Sequence, residues 1–252
     1  MNVSNLLDRA AELNEDGVYD LADGNFQQAV AAFEGAVQHM MQVCHLTTQS
    51  TNGNSSHKQL DSSVAGSLPP ARSSVEVPFV NDDRFYIYSC AVTFQAAPSS
   101  CSSTANSNAP HASEIAFYCA SILFNLALAH HQQAQAQKLQ QAARDASYRQ
   151  ALVLYQEVSR TLQCLQFAAP HCRDDILLLC LAAGNNQAQI LAALQDQDPS
   201  ICFQQLLSHS MSALHSQNNF SIFEQSQINE FIRNAMVLNA GSQAGLIAAA
   251  SA

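Results

Sequence analysis

The residues best suited to bind a metal or attack a substrate are nine histidines and eight cysteines. His130-His131 and His171-Cys172 are the clustered candidates. Neighbours on a helix point about 100° apart, so one of the pair 130–131 is expected to face the core or a groove and the other water. No acidic residue lies one turn from His130 or His131, and no His-Glu-x-x-His is present. A core or surface role is expected for them rather than a metal site. The cysteines, at 44, 90, 101, 119, 164, 172, 180 and 202, form no Cys-x-x-Cys, against a zinc ribbon or a thioredoxin-type dithiol. Cys44, Cys119, Cys164, Cys180 and Cys202 sit among apolar residues in helical stretches, where a free thiol packs as a small hydrophobe. Cys101, in a Ser-rich stretch, should be the most exposed. Gly-x-Ser-x-Gly, Gly-x-x-x-x-Gly-Lys and Gly-x-Gly-x-x-Gly are all missing, and eight glycines leave little material for nucleotide loops. The expectation is a non-catalytic protein with no cofactor and no bound metal.

Partner classes follow from charge. The 252 residues suit one domain or one and a half, and 48% hydrophobic content supports a core. Only 12% of residues are charged, about half the usual share, so Gln, Asn and Ser supply the surface polarity. Net charge is −10 and the ten Lys and Arg are scattered, which builds no stripe for phosphate backbones. Neither nucleic acid nor an anionic membrane is an expected partner. No uninterrupted apolar run reaches the roughly 18 residues of a membrane span. Met1 to Arg9 lacks a cationic start followed by an apolar stretch, so a cytoplasmic address is expected, with the nucleus as the alternative.

The elements that must position any site are helices. Leu6, Ala10, Leu13, Gly17 and Leu21 recur on one helical face, predicting a helix from an N-cap at Ser4 to about Asp23. A second helix is expected from Phe26 to His45, closing an N-terminal hairpin over 1–46. Thr47–Arg72 is polar and aperiodic and reads as a disordered linker (47–74). Residues 75–111 read as an extended segment and a polar loop: the β-branched and aromatic bias of Phe85–Phe94 predicts a strand, with Val75–Val80 as its hairpin partner, or else a helical turn around 84–91. Helices are then expected at 113–135 (capped by Ser113), 144–166, 173–195, 199–216 and 223–237, forming a body over 112–239. A flexible tail, 240–252, follows. The first helix carries Asp8, Glu12, Glu15, Asp16, Asp20 and Asp23; Asp8, Glu12, Glu15 or Asp16, and Asp20 fall on one stripe, which is either a solvated face or a surface for a basic partner.

Leu13-Asn14-Glu15-Asp16-Gly17-Val18-Tyr19, then Gly24-Asn25-Phe26 with Ala29, Phe33 and Ala36, places small residues where two helices cross and aromatics where they stack. Phe124-Asn125-Leu126-Ala127, with Tyr148, Ala151 and Tyr155, repeats the pattern with about twelve residues inserted relative to a 34-residue period. Asn185-Asn186-Gln187-Ala188 opens a weaker third copy. This resembles the tetratricopeptide repeat (TPR) family. The resemblance implies an all-α fold of about seven helices, with antiparallel hairpins stacked as a short superhelix. It also implies a protein-binding groove lined by Ser121, Asn125, Leu128 and Gln132 in the second repeat and by Ala182, Asn186 and Gln189 in the third. Asn125 and Asn186 would donate to a partner's backbone carbonyl, or else bridge packed helices. No groove position is basic, against capture of a carboxylate tail. The expected function is an adaptor or scaffold holding a helix or extended peptide. Residues 4–45 also resemble the start of a microtubule-interacting-and-trafficking (MIT) bundle, although no third helix follows directly. A helical enzyme or small-ligand binder with a pocket between the third and fifth helices is the other alternative.

Overall fold

The computed structural model describes residues 2–52, 73–76, 87–94, 112–136, 140–168, 173–194 and 229–236. Helix α1 spans Val3–Ala22 and α2 spans Phe26–Asn52. The N-cap of α1 is Asn2 rather than Ser4: its side-chain oxygen accepts from the Ser4 amide at 3.4 Å. Gly24, at φ 78°, turns the chain between the helices in the left-handed region that only glycine enters without strain. The close crossing of α1 and α2 depends on Gly17, where an added Cβ would lie 2.6 Å from the Phe33 ring. Phe33 is fully buried, whereas Tyr19, expected to stack, is 60% exposed and its hydroxyl donates to Glu15 at 3.2 Å. The α1 carboxylates other than Asp20 are exposed, and Glu12 pairs with Arg9 at 2.8 Å.

The polar stretch after His45 does not leave the helix at once. Thr47 and Thr48 return their hydroxyls to the Val43 and Cys44 carbonyls, so α2 continues to Asn52. Residues 53–72 lie outside the described residues, as do 95–111, the helix expected at 199–216 and the tail.

Strands β1 (Ser73–Glu76) and β2 (Cys90–Thr93) pair antiparallel, with Ser74 opposite Val92 and Val75 opposite Ala91. The strand and hairpin expectation therefore holds here in shortened form, and residues 87–89 are not helical. Then follow α3 (Ala112–Ala136), α4 (Gln141–Ala168), α5 (Arg173–Leu194) and a short helix α6 at 229–236. The fold is all-α apart from the two-stranded ribbon. Helix α3 already includes Ala112, so Ser113 lies inside it rather than at its cap.

Each helix packs chiefly on its neighbours in sequence, α1 on α2, α2 on α3, α3 on α4 and α4 on α5, and β2 lies against α1 and α3. One hydrophobic cluster runs through all of them, from Leu6 and Phe33 through Phe124 and Tyr155 to Ile176 and Phe231. Helices α3 and α5 are long and apolar enough to cross a bilayer, unlike what the run lengths predict, and 67% and 78% of their apolar windows are buried inside the protein. A core helix surrounded by protein is apolar on every side for the same reason as a membrane span.

Candidate functional site

Helices α1, α3 and α5 place one asparagine each beside the segment 87–94. On α3, Asn125 holds both backbone groups of Val92: its Oδ1 accepts from the Val92 N–H at 2.8 Å and its Nδ2 donates to the Val92 carbonyl at 2.7 Å. Asn14 of α1 donates to that same carbonyl at 3.0 Å, while its own Oδ1 accepts from Asn125 Nδ2 at 2.9 Å. Four residues earlier, Asn186 of α5 repeats the arrangement. Its Oδ1 accepts from the Tyr88 N–H at 3.1 Å and its Nδ2 donates to the Tyr88 carbonyl at 3.0 Å.

The network around Asn186 uses the whole amide. Nδ2 also donates to the Tyr155 hydroxyl at 3.0 Å, and Oδ1 accepts from Asn185 at 3.2 Å. Asn185 in turn accepts from Asn234 of α6 at 2.7 Å. Burial pushes the Tyr155 hydroxyl well above its ordinary pKa, with the bond from Asn186 opposing, so it stays a neutral acceptor. Asn14, Asn125, Asn185, Asn186 and Asn234 are all buried. A buried amide without partners is costly, so these bonds fix both the side chains and the strand they hold.

A strand directs the N–H and C=O of one residue to one edge and those of the next to the other. Val92 gives its pair to Asn125, which leaves Ala91 and Thr93 to face Val75 and Ser73 across the ladder. Strand β2 is thus paired to β1 along one edge and held by the Asn125 amide along the other. Apolar contacts complete the seat. Tyr88 lies between Phe124 (centroids 6.1 Å apart) and Phe231 (6.0 Å), and Phe94 stacks on Tyr118 at 4.4 Å.

Of the residues predicted to line a groove, Asn125 and Asn186 thus meet one segment, 87–94. Ser121 returns its hydroxyl to the Phe117 carbonyl at 3.0 Å within its own helix. Leu128 and Ala182 are fully buried in the apolar cluster. Gln132 and Gln189 are buried too, and Nε2 of the first and Oε1 of the second make no hydrogen bond among the described residues. None of these seven positions lies open to solvent: the chain's own segment covers the asparagines. Sequence reasoning missed Asn14, Asn185, Tyr155 and Asn234. Asn14 precedes Gly17 by three residues where Asn125 precedes Ala127 by two, and that offset hid the shared role.

Two expectations about titratable groups change. His130 and His131 are both buried, at 7% and 0% exposure, rather than one facing water. Helix α3 is enclosed on nearly every side at that level, with His131 edge-on to Tyr148 and Tyr155 at 5.7 and 6.1 Å. Burial lowers His131 to about 3. His130 is lowered by burial against an opposing pull from Glu34. Cys180 is buried, but Cys44 and Cys164 are exposed rather than packed. Cys101, Cys172, Cys202 and His171 lie outside the described residues. Among the described residues, no three of His, Cys, Asp and Glu converge as metal ligands.

A cavity of about 310 Å³ lies between α2 and α3, not between α3 and α5, and is lined by Met40, Met41, Ile122, Cys44 and Cys119 among others. Burial first, and then the neighbouring Cys44, push the Cys119 thiol up to about 12. It is protonated at neutral pH, a poor nucleophile. No protein-family model, curated protein or solved structure matches this chain.

Proposed function

We propose that this protein is a non-catalytic interaction scaffold of tetratricopeptide-like build, whose first, third and fifth helices grip a partner segment in extended conformation. One observation carries the reading: Asn125 and Asn186 each bond both the N–H and the C=O of a single residue, Val92 within β2 and Tyr88 two residues before it begins. Every residue except proline offers that pair of groups, so the arrangement recognises extended backbone as such. A helix engages its own N–H and C=O groups internally. The reading therefore narrows from a helix or extended peptide to an extended one.

The same proposal takes the hairpins α1–α2 and α3–α4, with α5, as stacked repeats. Their packing in sequence order and the buried small residues Gly17, Ala127 and Ala188, each just past a clamping asparagine, support it. The trafficking-type alternative has less support, because β2 and α3, not a third consecutive helix, lie against the first hairpin.

The test is selection of phage-displayed random peptides. It uses the whole chain and, in parallel, a chain whose residues 73–94 are replaced by a Gly-Ser repeat. The reading expects selected peptides that lose binding when Asn125 and Asn186 are changed to Ala in a protein that keeps its helical circular dichroism. Failure to select any peptide on either chain overturns it.

A further inference from the structure

We propose that residues 87–94 are an internal ligand of this cleft, and that its partner in trans is an extended segment that binds by displacing them. That partner carries an aromatic residue, a small residue three positions on, and a second aromatic three positions further. The inference rests on the scaffold reading above.

The seated segment records what the cleft accepts. Tyr88, Ala91 and Phe94 are 1%, 0% and 5% exposed, a spacing of three along an extended chain. Tyr88 fills the place between Phe124 and Phe231, and Phe94 lies against Tyr118. Ala91 is fully enclosed, so a longer side chain there would have to displace its neighbours. Ile87, next to Tyr88, is buried as well, at 4%. Ser89, Cys90, Val92 and Thr93 are half-buried, and of these Cys90 and Val92 pack against the core, so a partner has most freedom at the places of Ser89 and Thr93. The four bonds from Asn125 and Asn186 fall on main-chain atoms, so they give the native segment no advantage over another of the same shape.

What the native segment has is covalent attachment. A tethered ligand competes at an effective concentration on the order of millimolar, which any partner must overcome. Against this, the ribbon is only two strands of four residues, a unit that is marginal alone. The helices contact one another far more extensively than they contact it. An emptied cleft would leave the amides of Asn125 and Asn186 without the main-chain groups that now satisfy them. A second extended backbone restores those bonds.

The experiment uses a fluorescein-labelled peptide with the sequence of residues 85–96. Its binding by anisotropy is compared between the whole chain and a whole chain carrying Tyr88→Ala and Phe94→Ala, which weaken the internal ligand. Binding is expected to be roughly a hundredfold tighter to the weakened chain. It should be lost when the peptide carries Ala91→Leu or when Asn186→Ala is added to that chain. Equal affinity for both chains, or no binding to a weakened chain that keeps its helical circular dichroism, overturns the proposal.

Hydrogen exchange on the unaltered chain supplies a measurement independent of those variants. The Tyr88 and Val92 amides are expected to exchange faster than those in the middle of α3, and faster still with saturating peptide. Exchange as slow as the α3 amides overturns the proposal even if the weakened chain unfolds. Phage-selected peptides that bind the whole chain while these two amides stay protected would sink displacement and leave the scaffold reading standing. If no peptide binds any of the chains, both fall.

Discussion

An asparagine side chain is a peptide group on a short stem, with one end that accepts and one that donates, and the strand here is held through both ends. Asn125→Asp isolates that property because it changes almost no volume. The aspartate oxygen nearer the Val92 N–H still accepts, but the other would face the Val92 carbonyl and Asn14 Oδ1, now reached by Nδ2 at 2.7 and 2.9 Å. Two acceptors would replace two donor bonds in a buried place. The expected loss is about 2–4 kcal/mol in urea unfolding near neutral pH, from unsatisfied and opposed polar groups. Asn14→Ala should cost less, about 1 kcal/mol, because the carbonyl it serves is also served by Asn125. If Asn125→Asp melts in urea with the parent, the amide does not orient as described.

At the scale of elements, Gly17 is where α1 can lie close to α2. A Cβ there would sit 2.6 Å from the Phe33 ring, which is itself fully buried. Gly17→Ala, otherwise favourable in a helix, should therefore lose about 1–3 kcal/mol by overpacking; an unchanged or raised melting temperature would show that the helices separate without cost. This contact was legible in the sequence because small and aromatic residues recur at helical spacing within one hairpin. The same local periodicity placed α1, α3, α4 and α5 within a few residues at each end, and α2 at its start. It misread Thr47 to Asn52, where polar composition suggested a loop and threonine hydroxyls bonding back to the helix did not register. It also marked Phe85–Phe94 as extended and Asn125 and Asn186 as groove residues, yet did not join them. The bonds that join them span 33 and 98 residues of sequence, and no local pattern carries a pairing of that range. Asn125 and Asn186 were found through a family resemblance, and the strand lying on them needed the fold.

For the whole molecule, one apolar core shared by both hairpins and by α5 encloses much polarity: five asparagines, three glutamines and two histidines are buried among the described residues. The asparagines bond to one another and to the strand, whereas a buried histidine has a second way to lose stability, by taking up a proton. His131 is fully buried and lowered to about 3 in the folded protein, against an ordinary 6.5. Burial is the whole cause. The unfolded chain therefore binds this proton below about pH 6.5, while the folded chain refuses it until about pH 3. Stability from keeping His131 neutral is complete above the unfolded value and is lost as pH falls through that window. The slope approaches about 1.4 kcal/mol for each pH unit where the two states differ by a full proton. His130, lowered in the same direction, adds to the slope. His131→Phe keeps a ring edge-on to Tyr148 and Tyr155 and removes the titration. Urea unfolding of parent and variant at pH 7, 6, 5 and 4 then separates this histidine from every carboxylate that titrates in the same range, since those are common to both. The stability of the parent relative to the variant should fall steadily from pH 6 to pH 4, by about 1–3 kcal/mol in all. A difference that stays constant with pH would mean that His131 reaches solvent when protonated, and that α3 is not enclosed at this level of the bundle.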